Sequence, residues 1–226
     1  MGRAAAIAIA PTARVVLSGR RSDALDETAQ LVREAGGQAH ALAFDVTRSH
    51  AAEAAHEQIV ARWGPVGALI TAAGLNTPRR AWADQSLAEF DDIVATNLTG
   101  VARVVQAVLP GMRERGSGVI VIISSYAGWQ LSSSPGVAYS ASKLALRSLA
   151  FTLNAQEAHH GVRTTHLCPG DVNTDFLQLR PEVPGQEARA VMLSPEDIGR
   201  TVRFVLESPP HVVIDELVIS PTSQSR

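Results

Sequence analysis

Residues 138–151 read AYSASKLALRSLAF and set Tyr139 and Lys143 four positions apart in a helix-forming run. On a helix that spacing puts both side chains on one face, about a turn apart. A free phenol has a pKa near 10 and is a poor base at neutral pH, so an ammonium one turn away has a chemical use: it favours the phenolate. Lowering the phenol by about three units takes roughly 4 kcal/mol of differential interaction. Alone, Tyr-x-x-x-Lys is weak, because an amphipathic helix with a surface lysine produces the same spacing. Its meaning depends on what surrounds it.

Upstream, GVIVIIS (118–124) is a buried strand that runs into Ser124-Ser125, and Ser125 lies fourteen residues before Tyr139. Further upstream, Asn97-Leu98-Thr99-Gly100 interrupts a long helical pattern with two poor helix formers. Downstream, VRTTHL (162–167) leads through Cys168 into Pro169-Gly170-Asp171-Val172-Asn173-Thr174. Polar and backbone-special residues therefore fall at the carboxyl ends of successive strands, where open parallel sheets bind ligands.

The remaining β-branched runs are RVVLS (14–18), HALAF (40–44), GALIT (67–71) and HVVIDELVI (211–219). Helical patterns separate them. One follows Ser22 and ends on Gly36-Gly37, with a cap at each end. Ser86-Leu87-Ala88-Glu89 is a capping box opening the long helix toward Arg115. Ser194-Pro195-Glu196-Asp197 supplies a cap, a first-turn proline and first-turn acids. Strand–helix alternation predicts an α/β fold with a doubly wound parallel sheet, and no linker divides residues 1–226 into more than one domain.

The gross composition is that of an ordinary globular chain of 226 residues, 46% hydrophobic and 19% charged. A net charge of −2 without any basic run gives no sign of a nucleic-acid partner. No apolar run approaches the ~18 residues of a membrane span. The single cysteine, Cys168, excludes an internal disulfide, fits a reducing, cytoplasmic compartment, and reads as a small core residue. The adjacent His159-His160 do not share a face, and no metal is expected.

The ordered set Asp45, Ala72-Ala73-Gly74, Asn97, Ser125, Tyr139-x-x-x-Lys143 and Pro169-Gly170-x-Val172-x-Thr174 resembles the short-chain dehydrogenase/reductase family in its compact single-domain form. The resemblance spans essentially the whole chain. It implies a Rossmann-type fold and hydride transfer between a nicotinamide and a small-molecule carbonyl or alcohol. Tyr139 would be general acid for reduction and base for oxidation. Lys143 would tune Tyr139 and bond the nicotinamide ribose. Ser125 would stabilise charge on the substrate oxygen. It is preferred to Ser124 because Tyr126-Ala127-Gly128 matches the x-x-Gly that follows the family's serine. Asn97 would hold a relay water. Gly2, Asp45, Val46, Ala72, Ala73, Gly74, Pro169, Gly170, Val172 and Thr174 would line the cofactor with Tyr139 and Lys143.

Ser18-Gly19-Arg20-Arg21 lacks the acid that takes both ribose hydroxyls of NAD, and its two arginines suit a 2′-phosphate, so NADP is favoured over NAD. Residues 175–192 resemble the family's substrate lid, where Arg180 and Arg189 could meet an acidic substrate or be solvated. Trp129 and Leu131 could line the pocket or pack. The family's habits imply a homodimer or homotetramer.

Two departures stand out. Thr71 replaces the asparagine that usually begins Asn-x-Ala-Gly. More seriously, Gly2-Arg3-Ala4-Ala5-Ala6 matches only the third glycine and first helix of the family's opening motif, so the first strand and two glycines have no counterpart. An internal methionine read as the start would explain this. The alternative is a cofactor-poor protein of the same fold that acts through protein contacts. Residues 3–9 are expected to be helical, given their alanine content.

Overall fold

A computed structural model describes residues 1–224. Its strands are β1 (Arg14–Gly19), β2 (Gln38–Ala43), β3 (Ala68–Thr71), β4 (Gly118–Ile123), β5 (Val162–Pro169) and β6 (Glu216–Ile219). Helices α1 (Gly2–Ile9), α2 (Ser22–Glu34), α3 (Ala51–Trp63), α4 (Leu87–Val94), α5 (Gly100–Arg115), α6 (Val137–Glu157), α7 (Gln186–Ala190) and α8 (Pro195–Glu207) separate or flank them. Every strand pair is parallel, as the alternation predicts.

The sheet is in two pieces. β1 pairs with β2, β3 to β6 pair in chain order, and no ladder joins β1 to β3 among the described residues. This gap falls where the resemblance places the strand without a counterpart. Three side-chain clusters hold the layers together. Val101, Val105, Leu109 and Met112 of α5 meet Leu146 and Leu153 of α6 over one face of β4. Val121, Ile123 and Leu167 meet Ile198 and Val202 of α8 on the other. Ala6, Ile9 and Ala10 pack with Val15, Leu17 and Val32 to seat the β1–β2 piece. Ile70 and Leu206 touch both of the last two clusters and tie the pieces together across the gap.

The sequence signals are accurate at several ends. Ser86 and Ser194 both form capping boxes, with Glu89 and Asp197. The alanine-rich opening is helical from Gly2 to Ile9. Two expectations need correction. Ser22 lies inside α2, whose N-cap is Arg21 without a side-chain bond. Only the last four residues of the run 211–219 form a strand, because β6 has a partner only along the end of β5.

Residues Leu87–Arg115 together are long and apolar enough to cross a membrane by length and composition. In this fold the apolar face of α5 is core.

Candidate active site

Asn97 lies in the middle of a π-turn, Ala95–Thr99, between α4 and α5. Asparagine and glycine weaken the helix there, and π-turns are frequent at functional sites. The side chain is fully buried. Its Oδ1 accepts from the Leu75 amide at 2.7 Å, and its Nδ2 donates to the Leu75 carbonyl at 2.9 Å and to Ser142 Oγ at 3.1 Å. Asn97 therefore staples the backbone just beyond Gly74, with one Oδ1 lone pair left for a water.

β4 carries Ser124 and Ser125 at its carboxyl end. Strand alternation sends them to opposite sides. Ser124 is buried, with its Oγ donating to the Lys143 carbonyl at 3.3 Å. It is pinned there by Gly128, where a Cβ would sit 2.4 Å from Ser124 Oγ and 2.8 Å from that carbonyl. Ser125 is left facing Tyr139, with its hydroxyl in hydrogen-bonding reach of the phenol.

α6 presents Tyr139 and Lys143 together, with Lys143 Nζ 5.7 Å from the Tyr139 ring centre. Nζ donates to the Ile123 carbonyl at 3.3 Å, and the lysine is almost wholly buried. Desolvation lowers its pKa to about 8, against a smaller upward pull from Cys168. The Tyr139 ring is partly exposed, but its hydroxyl is enclosed, and burial raises its pKa. Ser125 and the charges of Arg80 and Arg180 pull it partway back. Sequence spacing points to Lys143 as the group that lowers the phenol; here burial raises it, the groups that draw it back are Ser125, Arg80 and Arg180, and the phenol stays protonated at neutral pH.

The expected cofactor residues divide between the two sheet pieces. Ala72, Ala73 and Gly74 are exposed at the carboxyl end of β3, so small side chains leave that floor open. Gly2, at the start of α1, lies so close that a Cβ there would stand 3.0 Å from that of Ala72. A Cβ on Gly74 would lie 3.9 Å from both Asn97 Oδ1 and Lys143 Nζ. Across the gap, Arg20 and Arg21 are exposed after β1 and form no ion pair among the described residues. The Arg20 charge acts on Asp45, whose carboxylate takes the Thr47 amide and hydroxyl and titrates below its usual range, chiefly through that amide. Val46 packs on Gly100.

The turn after β5 is built from backbone bonds. Gly170 N donates to Ile219 O at 2.7 Å, and Asp171 N to Gln224 Oε1 at 3.0 Å. The Val172 side chain is core, so toward a ligand it offers backbone. Thr174 N-caps the 3-10 turn Asp175–Leu179. Among residues 175–192, Arg180 pairs with Asp171, while the half-buried Arg189 donates to Asn173 Oδ1 at 2.9 Å. Trp129 stacks edgewise on Tyr126, and Leu131 is exposed.

Tertiary structure adds residues that no local motif marks. Ser142 bonds Asn97, Phe176 places its ring 6.1 Å from that of Tyr139, and Arg80 lies near the phenol. Beneath the site, His166, Cys168 and Glu216 gather their polar atoms within 4.8 Å of one another. Burial, aided by the Glu216 charge, pushes the Cys168 thiol up to about 12.

Solved structures share this architecture. The closed form of Escherichia coli serine dehydrogenase complexed with NADP+ aligns at 31% identity and TM-score 0.81, over 96% of this chain and 88% of that one. An alcohol dehydrogenase from the archaeon Thermococcus sibiricus, complexed with 5-hydroxy-NADP, aligns at 27% and TM-score 0.86, over 100% and 92%. Among curated proteins, the NADP-dependent 3-hydroxy acid dehydrogenase YdfG of Escherichia coli K12 is 33% identical, over 94% of this chain and 86% of its own length. The glycine betaine reductase ATRR of Emericella nidulans is 31% identical over 99% of this chain, which spans only 18% of that protein. The family of short chain dehydrogenases matches from residue 1 to residue 183, through the π-turn asparagine, the serine and the Tyr139–Lys143 pair, and this chain belongs to it.

Proposed function

We propose that this chain is an NADP(H)-dependent oxidoreductase that interconverts a small-molecule carbonyl and a secondary alcohol in the cytoplasm. The observation that carries the reading is the convergence of Ser125, Tyr139 and Lys143, with the Asn97 staple behind them, at the carboxyl ends of β3 and β4. The relatives' names cover alcohols, a 3-hydroxy acid and serine, so they support the reaction type and leave the substrate open.

The residues fit a dinucleotide. Small residues leave an open floor at Ala72–Gly74, the start of α1 faces it, and two exposed arginines that form no ion pair among the described residues suit a 2′-phosphate. A bound nicotinamide supplies or accepts the hydride. The chain's part in reduction is the proton. Tyr139 holds it at neutral pH and gives it to the substrate oxygen. Ser125 donates to the same oxygen as negative charge grows there. Lys143, still mostly charged below pH 8, stabilises the phenolate left behind, and the charges of Arg80 and Arg180 add to it.

The test is NADPH oxidation against a panel of ketones and aldehydes, run also with NADH. Native protein should prefer NADPH, and Tyr139→Phe should lose activity by about a hundredfold or more, the usual worth of a positioned general acid. A clear NADH preference would remove the arginine assignment, and full activity in the phenylalanine variant would remove the mechanism.

The two-piece sheet favours a second reading, in which this chain holds cofactor weakly and acts through protein contacts. NADPH fluorescence titration separates the two. Micromolar binding supports the enzyme. Binding seen only after a strand-forming segment is added ahead of Met1 assigns the weakness to the gap.

A further inference from the structure

Arg80 is a tethered guanidinium with no ion-pair partner among the described residues. Its backbone lies against Gly136, where a Cβ would stand 2.9 Å from the Arg80 Cβ and carbonyl oxygen. Gly136 also has φ +85°, so the contact and the backbone conformation both require glycine there. It is the residue that caps α6, three positions before Tyr139. From this anchor Arg80 Nε donates to the Thr77 carbonyl at 3.0 Å, and Nη2 to the Leu179 carbonyl at 2.8 Å. Leu179 closes the turn that carries Phe176, whose ring faces Tyr139.

Those bonds use two of five N–H donors, and no carboxylate pairs with Arg80 among the described residues. The neighbouring cations are already answered: Arg79 pairs with Glu89, and Arg180 with Asp171. With Arg180 offset by Asp171, Arg80 is the unpaired guanidinium on this side of the phenol, opposite the Lys143 charge on α6. Arg80 also lines a cleft of about 480 Å³ with Pro78, Arg79, Ala81, Asp84 and Pro181. Asp84 is exposed on that cleft and pairs with neither arginine. Partial burial of the guanidinium lowers its pKa, the expected effect of desolvating a cation with no partner.

We propose that Arg80 receives a carboxylate of the substrate, so that the carbonyl presented to Tyr139 belongs to an oxo acid and the alcohol to the corresponding hydroxy acid. The inference rests on the oxidoreductase reading and narrows it. A planar guanidinium fork matches a carboxylate edge to edge. The carboxylate would supply the partner that Arg80 lacks and hold the carbonyl in register with the phenol.

The experiment compares kcat/KM with NADPH for pyruvate, acetoacetate and levulinate, each against its methyl ester, alongside neutral aldehydes and ketones. Esterification removes the charge and keeps the ketone. A charge-assisted bond of ~1.5–3 kcal/mol predicts that at least one acid exceeds its ester by about ten- to a hundredfold. In Arg80→Gln the acid-to-ester ratio should fall to about one, chiefly through the KM of the acid, because any lost stabilisation of the phenolate slows acid and ester alike. Arg80→Lys should recover part of it. Turnover of neutral carbonyls with no acid preferred over its ester overturns the carboxylate receptor and leaves the oxidoreductase standing. No turnover of any compound overturns the oxidoreductase itself. The acid-to-ester ratio is read on native protein, so it decides the matter even if the variants fail to fold.

Discussion

Replacing Lys143 with methionine removes a buried charge while keeping most of the side chain's volume. The lysine is 3% exposed and its pKa falls from 10.5 to about 8, mainly by desolvation. A drop of that size corresponds to ~3 kcal/mol by which the folded state disfavours the charged form. Methionine also gives up the 3.3 Å bond from Nζ to the Ile123 carbonyl, worth about 1 kcal/mol. The net expectation at pH 7 is a variant more stable by roughly 2 kcal/mol, or ~4–8 °C in a chain of this size.

The pH dependence gives this its signature. The folded pKa is depressed, so between about 8 and 10.5 the unfolded chain binds more protons than the folded one. The cost of Lys143 is thus fully present below pH 8 and fades as the pH rises toward 10.5. Urea unfolding of both proteins should show the advantage of methionine shrinking by ~1 kcal/mol between pH 7 and pH 9. Carbonyl reduction by the same variant should collapse, because the phenolate loses the buried cation on its own helix face. A variant less stable than native at pH 7, or an advantage equal at both pH values, refutes the reasoning: Lys143 would then not be a desolvated charge. Stability gained with activity lost is the trade expected where a site stores a cost in its own fold.

Thr71 Oγ1 is buried without a hydrogen-bond partner among the described residues at the end of β3, so Thr71→Val should stabilise by about 1 kcal/mol in urea unfolding. Asn154 bonds the Thr164 amide and carbonyl and Asp215 from a buried position on α6, and Asn154→Ala should cost ~2–4 kcal/mol by the same assay. The Cys168 thiol, pushed up to about 12, should resist iodoacetamide in native protein at pH 8 and react once unfolded; rapid native labelling would contradict its burial.

The readable part of this molecule is the part whose chemistry is local in sequence. Tyr139 and Lys143 share a helix face by spacing alone, and the capping boxes at Ser86 and Ser194 need only residues within four positions. The sequence prefers Ser125 to Ser124 from the x-x-Gly that follows it; the structure adds that Ser124 is the hydroxyl held under α6 beside Gly128. What the sequence hides is set by contacts across the chain. Arg80 reaches Tyr139 through Gly136 and Leu179, and His166 meets Glu216 only because β5 and β6 pair in that register. The direction of the Tyr139 shift was also hidden: spacing identifies a cation nearby but not how much water the phenol loses.

The division of the sheet sets a physical limit on how the two halves of the site work together. Ser125, Tyr139, Lys143 and Asn97 are framed by β3–β6 and the buried faces of α5 and α6, a continuous core. Arg20, Arg21 and Asp45 belong to the β1–β2 piece, which has two strands and depends on α1, α2 and the bridging residues Ile70 and Leu206. A lone two-stranded sheet is marginal in water, so this piece should open more readily than the rest. Native-state hydrogen exchange should then show the amides of β1 and β2 exchanging through local opening while those of β4 and β5 wait for global unfolding. NADPH binds across both pieces in the proposed function, so it should slow exchange in β1 and β2 most. Equal protection of all six strands without ligand would mean that Ile70, Leu206 and α1 hold the pieces together as firmly as a hydrogen-bonded ladder would. The gap would then have no bearing on cofactor affinity.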